Sequence, residues 1–189
     1  MGHSQADKAR SRQRILTTAA KQIREEGLES LSIAKLMQAV NLTHGGFYGH
    51  FATRDELVAE ALKEALRDGA KTGHMAIGED RSLRAKTRSY LSRAHRDSPA
   101  QGCAISTLSG ETARAGGAAR AAMTLHIRRL IQSIENALSG DPGSRERAVA
   151  IACMMVGAIN LSRVADDTAL SDEILRCARQ AALVLGEGE

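Results

Sequence analysis

The stretch Asn41–Phe51, NLTHGGFYGHF, holds three glycines inside a segment whose flanks favour a short helix. Each glycine costs roughly 1 kcal/mol relative to alanine in a helix interior, although this chain is otherwise rich in alanine. Thr43 is a preferred N-cap residue, and Asn41 tolerates the left-handed conformation of a tight turn. The stretch therefore predicts a turn at Asn41 and a short helix from about His44 to His50.

Two phenylalanines explain how such a glycine-rich helix can persist. Phe47 and Phe51 lie four residues apart, so they share one face and are predicted to pin the helix to a hydrophobic core. The opposite face carries Thr43, His44, Gly45, Gly46, Tyr48 and Gly49. A face so poor in side chains lets the backbone approach another surface, for which a base-pair edge or a sugar–phosphate chain is the natural candidate. An irregular loop without a partner is the alternative.

Helices on both sides of this segment complete a known motif. Apolar periodicity predicts a helix over residues 8–26, and Ser32 is a predicted cap for a second helix ending near residue 39. The sequence Thr53-Arg54-Asp55-Glu56 is a capping box, which opens a further helix to about residue 68. Two short helices joined by a four-residue turn form a helix-turn-helix.

The formal charge is concentrated at the amino-terminal end of the chain. Of the 26 Lys and Arg and the 22 Asp and Glu, eight basic and four acidic side chains lie within Met1–Arg54. The whole net charge of +4 therefore lies there, and the rest of the chain is neutral. A basic end on a neutral body favours a polyanionic partner such as nucleic acid, and a merely solvated surface is the alternative.

Composition indicates an all-α protein. Aromatic residues make up 2% of the chain, and there are two prolines, which favours helices packed through aliphatic side chains. No run of 18 apolar residues predicts a membrane span, and MGHSQADKARSR lacks a signal core, so a cytoplasmic protein is expected. The three widely spaced cysteines, Cys103, Cys153 and Cys177, are expected to be reduced core residues, and neither a metal nor a cofactor is expected.

The region Ile15–Leu62 resembles the DNA-binding domain of the TetR family of transcriptional regulators. The shared features are an alanine-rich first helix ending in Glu-Gly, a Ser/Thr-capped second helix, and Phe-Tyr-x-His-Phe followed by a basic residue and Asp-Glu-Leu. The family often has glycine where Asn41 stands and a larger polar residue at Gly49. The resemblance implies a three-helix, helix-turn-helix DNA-binding domain followed by a helical ligand-binding and dimerisation bundle, with about nine helices in all.

The resemblance also divides the chain and assigns roles at DNA. Residues 1–54 would bind double-stranded DNA, residues 55–80 would form a connecting helix and linker, and residues 81–189 would bind ligand and dimerise. Four side chains would donate hydrogen bonds to phosphates, namely Thr43, Tyr48, His50 and Arg54. Base edges would face His44, Gly45 and Gly46, and the flanking backbone would be reached by Ser32 and Lys35. The arm around Arg10, Arg12 and Arg14 would either contact DNA or be solvated.

Helical patterns continue through the second half of the chain. The predicted helices cover residues 82–97, 103–114, 118–138, 144–165 and 171–185, after a glycine-rich linker at Gly69–Asp80. In the stretch Ala148–Leu161, AVAIACMMVGAINL, only Asn160 is strongly polar. A helix that is apolar nearly all round must be covered on several sides, and this stretch is too short to span a bilayer.

Two explanations of this apolar helix remain open. Its own bundle could cover it, or a second copy of the chain could cover one side in a four-helix dimer interface. The interface predicted for the second case consists of Ile151, Met155, Ile159, Ile174, Ala178, Ala181 and Leu185. Two-fold symmetry would then present two heads to a roughly palindromic operator.

A small-molecule pocket is expected among the helices between Ser82 and Leu161. The candidate lining residues are Tyr90, Leu108, Met123, His126, Ile127, Leu130, Met154, Met155 and Ile159, and plain core packing is the alternative for each. Glu111 would meet a polar ligand group or remain solvated.

These features favour a homodimeric, ligand-responsive repressor that a small-molecule inducer releases from its operator. A redox or electrophile switch at Cys103 is the alternative, because this residue lies near a predicted helix N-terminus, where a thiolate is favoured. An enzyme is not supported, because the sequence has no clustered nucleophile and base and no HExxH motif. An adaptor that has lost DNA binding is opposed by the retained Tyr48, His50 and Arg54.

Overall fold

The computed structural model describes residues 5–71, 82–138, 140 and 142–187. Over these residues it has nine α-helices and no β-strand, which confirms the predicted all-α fold. The helices are α1 (Gln5–Glu26), α2 (Ile33–Ala39), α3 (Arg54–Lys71), α4 (Leu83–Tyr90), α5 (Arg93–Asp97), α6 (Ala104–Thr112), α7 (Gly117–Glu135), α8 (Ser144–Val164) and α9 (Thr168–Glu187). Three 3-10 segments lie at Leu28–Ser30, His44–Gly49 and Pro99–Gln101. Most of the predicted linker Gly69–Asp80 lies outside the described residues.

The head of the molecule consists of α1, α2, the segment His44–Gly49 and the start of α3. The apolar stripe of α1 is buried and packs against α3, with Ile15 and Ile23 both at 0% exposure. Phe47 and Phe51 are also buried, and their ring centroids lie 5.6 Å apart. Burying each phenylalanine contributes about 1.5–3 kcal/mol, which offsets the roughly 1 kcal/mol that each glycine costs.

The body of the molecule contains α4 to α9, and α3 joins it to the head by packing on both α1 and α7. Helix α8 is central, because it contacts α5, α6, α7 and α9. It has 21 residues, Ser144–Val164, which agrees with the predicted range 144–165. Its length and its mean hydropathy of 1.4 over 18 residues would suffice for a membrane span. Core helices of helical proteins share these properties, and here the neighbouring helices bury one face of α8, including Ala148, Ile151 and Ile159.

The helix predicted over residues 82–97 is interrupted, so this prediction was wrong. Helix α4 ends at Tyr90 and α5 begins at Arg93, because Ser92 caps α5 by accepting a hydrogen bond from the His95 amide at 3.2 Å. Nδ1 of the His95 imidazole lies 2.7 Å from the Tyr90 carbonyl oxygen, and its Nε2 accepts a hydrogen bond from the Cys103 amide at 2.9 Å. Since Nε2 is an acceptor, Nδ1 carries the proton and donates to Tyr90. A bond to Cys103, well beyond the end of α4, thus helps to end that helix.

Arg163, near the end of α8, fixes the orientation of α5. Its guanidinium donates to the carbonyls of His95 at 2.9 Å and Arg96 at 3.1 Å, and to the hydroxyl of Ser106 at 3.0 Å. The carbonyl end of a helix carries partial negative charge, so a cation is stabilised there. This contact ties α5 and α6 to the central helix of the body.

Candidate nucleic-acid interface

The turn and the cap that precede the glycine-rich segment have the predicted geometry. Asn41 has a φ of 55°, which is left-handed, and the Thr43 hydroxyl accepts a hydrogen bond from the Gly46 amide at 3.3 Å. The predicted short helix is present as a 3-10 helix, His44–Gly49. A tight winding over such a short segment is consistent with its low helix propensity.

The glycines of this segment are not required by anything in the described part of the chain. Their φ angles are not positive, unlike those of Gly27 and Gly143. A Cβ atom added to Gly45 or to Gly49 would meet no described atom within 4 Å, and one added to Gly46 would make only ordinary contacts at 3.5 Å and 3.7 Å. Neither backbone conformation nor packing among the described residues therefore calls for glycine here, and the predicted contact with a partner stays a prediction.

The side chains around these glycines point outward. Thr43 and His44 are exposed, and Tyr48 is 65% exposed with its ring edge against Phe47 at a centroid distance of 5.2 Å. The phenol therefore projects over a surface that Phe47 holds in position. Hydroxyl and imidazole groups in this setting are able to donate hydrogen bonds to a second molecule.

His50 lies at the edge of the same surface, among positive charges. Burial lowers its pKa, and the charges of Lys8 and Arg12 lower it further. Its Nδ1 is buried without a hydrogen-bond partner among the described residues. The Arg12 guanidinium lies 4.5 Å from the ring centroid of Phe51 and 3.4 Å from the carboxylate of Glu56. The amino-terminal helix thus adds positive potential beside the glycine-rich segment.

The other predicted DNA-contacting side chains, Ser32, Lys35 and Arg54, lie in different environments. Ser32 occupies the N-cap position of α2, but its hydroxyl makes no capping hydrogen bond to the described start of that helix, and Lys35 is exposed. The Arg54 guanidinium donates to the carbonyl of Leu31 at 3.3 Å and to that of Leu28 at 3.5 Å. Arg54 therefore fastens α3 to the connection between α1 and α2.

The capping box at the start of α3 has the expected hydrogen bonds with one shift. The Thr53 hydroxyl accepts from the Glu56 amide at 3.0 Å, and the Glu56 carboxylate accepts from the Ala52 amide at 2.7 Å. The return bond thus reaches one residue further back than the motif predicts. Both bonds fix the point at which the chain leaves Phe51 and enters α3.

Sequence analysis missed the position of Glu111. Its carboxylate accepts a hydrogen bond from the Leu28 amide at 2.6 Å and lines a cavity between α3, α6 and α7, away from the predicted pocket residues. This bond joins α6 of the body to the connection between α1 and α2 of the head. The positive φ of 89° at Gly27 accompanies this contact, but no local pattern in the sequence links residues so far apart along the chain.

Most of the predicted ligand-contacting residues lie in the core of the body. Buried members are Tyr90, Leu108, Met123, His126, Leu130, Met155 and Ile159, and Met154 is half-buried. Ile127 is 37% exposed on the outer side of α7, so its assignment to an internal pocket is corrected. The cavities among the described residues are lined by other side chains.

Part of the predicted dimer interface is also corrected. Ile151, Met155 and Ile159 are 0–2% exposed inside their own protomer, so they offer no surface to a partner. On α9, Ala181 is exposed, and Ile174, Ala178 and Leu185 are half-buried. Helix α8 is apolar on nearly every side, so periodicity could not distinguish its inner face from its outer one.

Two of the three cysteines differ from the prediction. Cys103 is buried at the N-cap of α6, as expected for a core residue, and burial raises the pKa of its thiol. Cys153 and Cys177 are exposed on α8 and α9. They are therefore not core residues of a single protomer.

The fold of the head and its exposed surface are those of a helix-turn-helix domain. Residues 15–61 match the family described as bacterial regulatory proteins, tetR family. This match covers the head of the molecule.

Solved structures agree with this fold over nearly the whole chain. A TetR-family transcriptional regulator from Cytophaga hutchinsonii has a TM-score of 0.77 at 20% identity, with 100% of each chain covered. SCO4454, a TetR-family regulator from Streptomyces coelicolor, has a TM-score of 0.71 at 23% identity, covering 95% of this chain and 97% of its own. AibR, solved with isovaleryl coenzyme A and operator DNA, has a TM-score of 0.63 at 18% identity, covering 90% and 97%. At these identities the likeness concerns the fold, and no curated protein matches the chain significantly.

Proposed function

We propose that the chain is a homodimeric repressor that a small-molecule inducer releases from a roughly palindromic operator. Residues 1–54 would bind DNA, residues 55–80 would connect, and residues 81–189 would bind the inducer and dimerise. The observation that carries this proposal is that the open space in front of Gly45 and Gly49 lies on the basic head, with Thr43, His44 and Tyr48 exposed beside it. A bare backbone on an exposed basic head fits the close approach of a DNA groove.

The proposed contacts follow the exposure of the side chains around that space. Phosphates would be bound by Thr43, Tyr48, His50, Lys35 and Ser32, which sets the register of the head on the duplex. His44 and the backbone at Gly45 and Gly46 would face base edges. Arg54 would bind a phosphate only through the N–H groups that are not used in its hydrogen bonds to the carbonyls of Leu28 and Leu31.

The proposed dimer interface is formed by the exposed apolar residues of α8 and α9. On α8 it comprises Val149, Cys153, Leu161 and Val164, and on α9 it comprises Leu170, Ile174, Cys177, Ala181 and Val184. Both sets recur at helical spacings, and Leu161 and Val164 are 62% and 82% exposed. Water-exposed apolar stripes on two adjacent helices are typical of a four-helix interface between two copies. This assignment also accounts for the two exposed cysteines.

Control by a small molecule is proposed from the architecture. AibR has a similar fold and was solved with both an acyl-coenzyme A and operator DNA. In this chain an inducer would act by favouring a separation of the two heads that no longer fits successive major grooves. The proposed setting is the cytoplasm, where such a regulator has access to DNA and metabolites.

A redox or electrophile switch at Cys103 remains the alternative, but its environment does not favour it. The thiol is 1% exposed, and burial raises its pKa, so little thiolate is present near neutral pH. Intact release by inducer in a Cys103→Ser variant would exclude it.

The DNA-binding proposal is tested by selecting duplexes from a random pool and titrating salt in a mobility-shift assay. The selected sites should be roughly palindromic, and the logarithm of the affinity should fall linearly with that of the salt concentration. The variant Lys35→Ala should weaken selected and random duplexes alike, whereas His44→Ala should change which sequences are selected. Lys21→Ala, which removes an exposed charge elsewhere on α1, is the control. A protein that retains no duplex at low salt would refute the proposal.

A further inference from the structure

The head and the body meet at a polar contact centred on Glu111. Its carboxylate, at the end of α6, accepts hydrogen bonds from the amide of Leu28 at 2.6 Å and from that of Glu29 at 3.4 Å. These amides begin the 3-10 segment Leu28–Ser30, where unpaired N–H groups need an acceptor. Glu111 therefore acts as a cap supplied by the body to a segment of the head, and bonds from backbone amides to a carboxylate are among the stronger kind.

Gly27 permits this approach. Its φ of 89° is unfavourable for other residues, and a Cβ atom there would lie 2.5 Å and 2.8 Å from the two carboxylate oxygens of Glu111. Any side chain at this position would therefore displace the carboxylate. Backbone conformation and close approach both point to glycine here, in contrast to Gly45.

The same 3-10 segment is held from its other side by the head. Arg54 donates to the carbonyl of Leu28 at 3.5 Å and to that of Leu31 at 3.3 Å. Beside the contact lies a cavity of about 500 Å³, lined by residues from both units, including Asp55 and Arg114. The hydrogen bonds to Glu111 bridge head and body beside this cavity, and they add a directional restraint to the packing of α3 against α7.

We propose that Glu111 is a positioning residue that fixes the orientation of the DNA-binding head relative to the body. Loss of the carboxylate would release the amides of Leu28 and Glu29 and remove one restraint on the orientation of the head. This inference rests on the proposed function, since the orientation of the head matters only if the head binds DNA. It predicts that affinity for a palindromic site depends on a side chain distant from the glycine-rich DNA-facing surface.

The test combines hydrogen exchange with DNA binding by the full-length protein. Glu111→Ala should speed exchange of the Leu28 amide and weaken binding to a duplex selected by the wild-type protein, each by about tenfold or more. Glu111→Gln keeps an acceptor oxygen and should restore binding to within about threefold of wild type. Glu29→Ala removes an equal charge from the same junction without touching the bonds, so it should bind like wild type.

A double variant tests whether Gly27 and Glu111 act through the same contact. Gly27→Ala should weaken binding as Glu111→Ala does, and adding Glu111→Ala should cause little further loss because the clash no longer exists. Circular dichroism and sedimentation would verify the fold and the assembly. If Glu111→Ala does not fold, Glu111→Asp, whose carboxylate reaches less far, should give the same loss.

Two results would overturn the proposal. Fast exchange at Leu28 with unchanged operator affinity would make Glu111 only a structural cap, and unchanged exchange would mean that the contact does not form in solution. Failure of the wild-type protein to bind any duplex would instead refute the proposed function. The exchange of the Leu28 amide would still show whether the contact with Glu111 forms in solution.

Discussion

Adding a single methyl group at Gly45 should separate the folding of this protein from its DNA binding. Its added Cβ would meet no atom of the described residues within 4 Å, and its φ is not positive, so Gly45→Ala introduces no strain among them. Alanine reduces the backbone entropy lost on folding by about 0.5–1 kcal/mol relative to glycine. For a chain of this size such a gain raises the melting temperature by about 1–4 °C.

The same methyl group should disturb the complex with DNA. If the backbone at Gly45 lies against a base edge or sugar, the methyl overpacks that contact, which costs about 1–3 kcal/mol. Since each factor of ten in affinity corresponds to about 1.4 kcal/mol, binding to the selected duplex should weaken by about fivefold to a hundredfold. Stability and affinity should therefore change in opposite directions.

The assay is thermal unfolding followed by circular dichroism, together with a mobility shift at fixed salt. Gly110→Ala is the matched control, because Gly110 lies in α6, is exposed, and also has no described atom within 4 Å of its added Cβ. It should be equally tolerated in folding and should leave DNA binding unchanged. Wild-type affinity in Gly45→Ala would refute the assignment of this face to DNA, and a melting temperature lowered by several degrees would show that the glycine serves the fold instead.

Three further predictions concern the core, the assembly and the pH dependence. Phe47→Ala should lower the free energy of unfolding in urea by about 3–5 kcal/mol because its ring is fully buried. The exposed Tyr48 should contribute less, so Tyr48→Ala should change this free energy by less than about 1 kcal/mol. Equal effects would contradict the assignment of Phe47 to the buried face and Tyr48 to the exposed face. Leu161→Glu should sediment as a monomer, while Leu125→Glu, an exposed leucine of α7, should remain a dimer. Burial and then the charge of Arg129 lower the pKa of His126 from 6.5 to about 4, so its neutral form is favoured in the folded state. The contribution of neutral His126 to the free energy of unfolding should be fully present above pH 6.5 and should fall by roughly 3 kcal/mol as the pH drops to about 4. The dependence of stability on pH in this range should be weaker in His126→Gln.

The head could be predicted from the sequence because its signals are local. The turn at Asn41, the cap at Thr43 and the spacing of Phe47 and Phe51 each act within a few residues, and the structure has all of them. What differs is the winding, since His44–Gly49 is a 3-10 helix. Tertiary contacts decide whether such a short segment becomes an α-helix or a 3-10 helix, and the sequence of the segment does not reveal these contacts.

The body could be predicted only as a set of helices, because its decisive contacts are long-range. The break between α4 and α5 depends on His95 bonding to Tyr90 and Cys103, and periodicity cannot register such a bond. The inner face of α8 could not be predicted either, because a helix with Met154, Met155 and Val156 in succession presents apolar groups in all directions. The positions of α5, α6, α7 and α9 decide which of these side chains are covered.

The contrast between two glycines shows why position in the fold must be known before a residue is given a role. Gly27 and Gly45 look alike in the sequence, since each lies beside a short helix. In the structure Gly27 has a φ of 89° and no room for a side chain beside Glu111, whereas Gly45 has ordinary backbone geometry and, among the described residues, empty space in front of it. An internal contact explains the first glycine, and an external partner is what would explain the second. Alanine should therefore damage the junction at Gly27 in the free protein, but at Gly45 its cost should arise only in the complex with DNA.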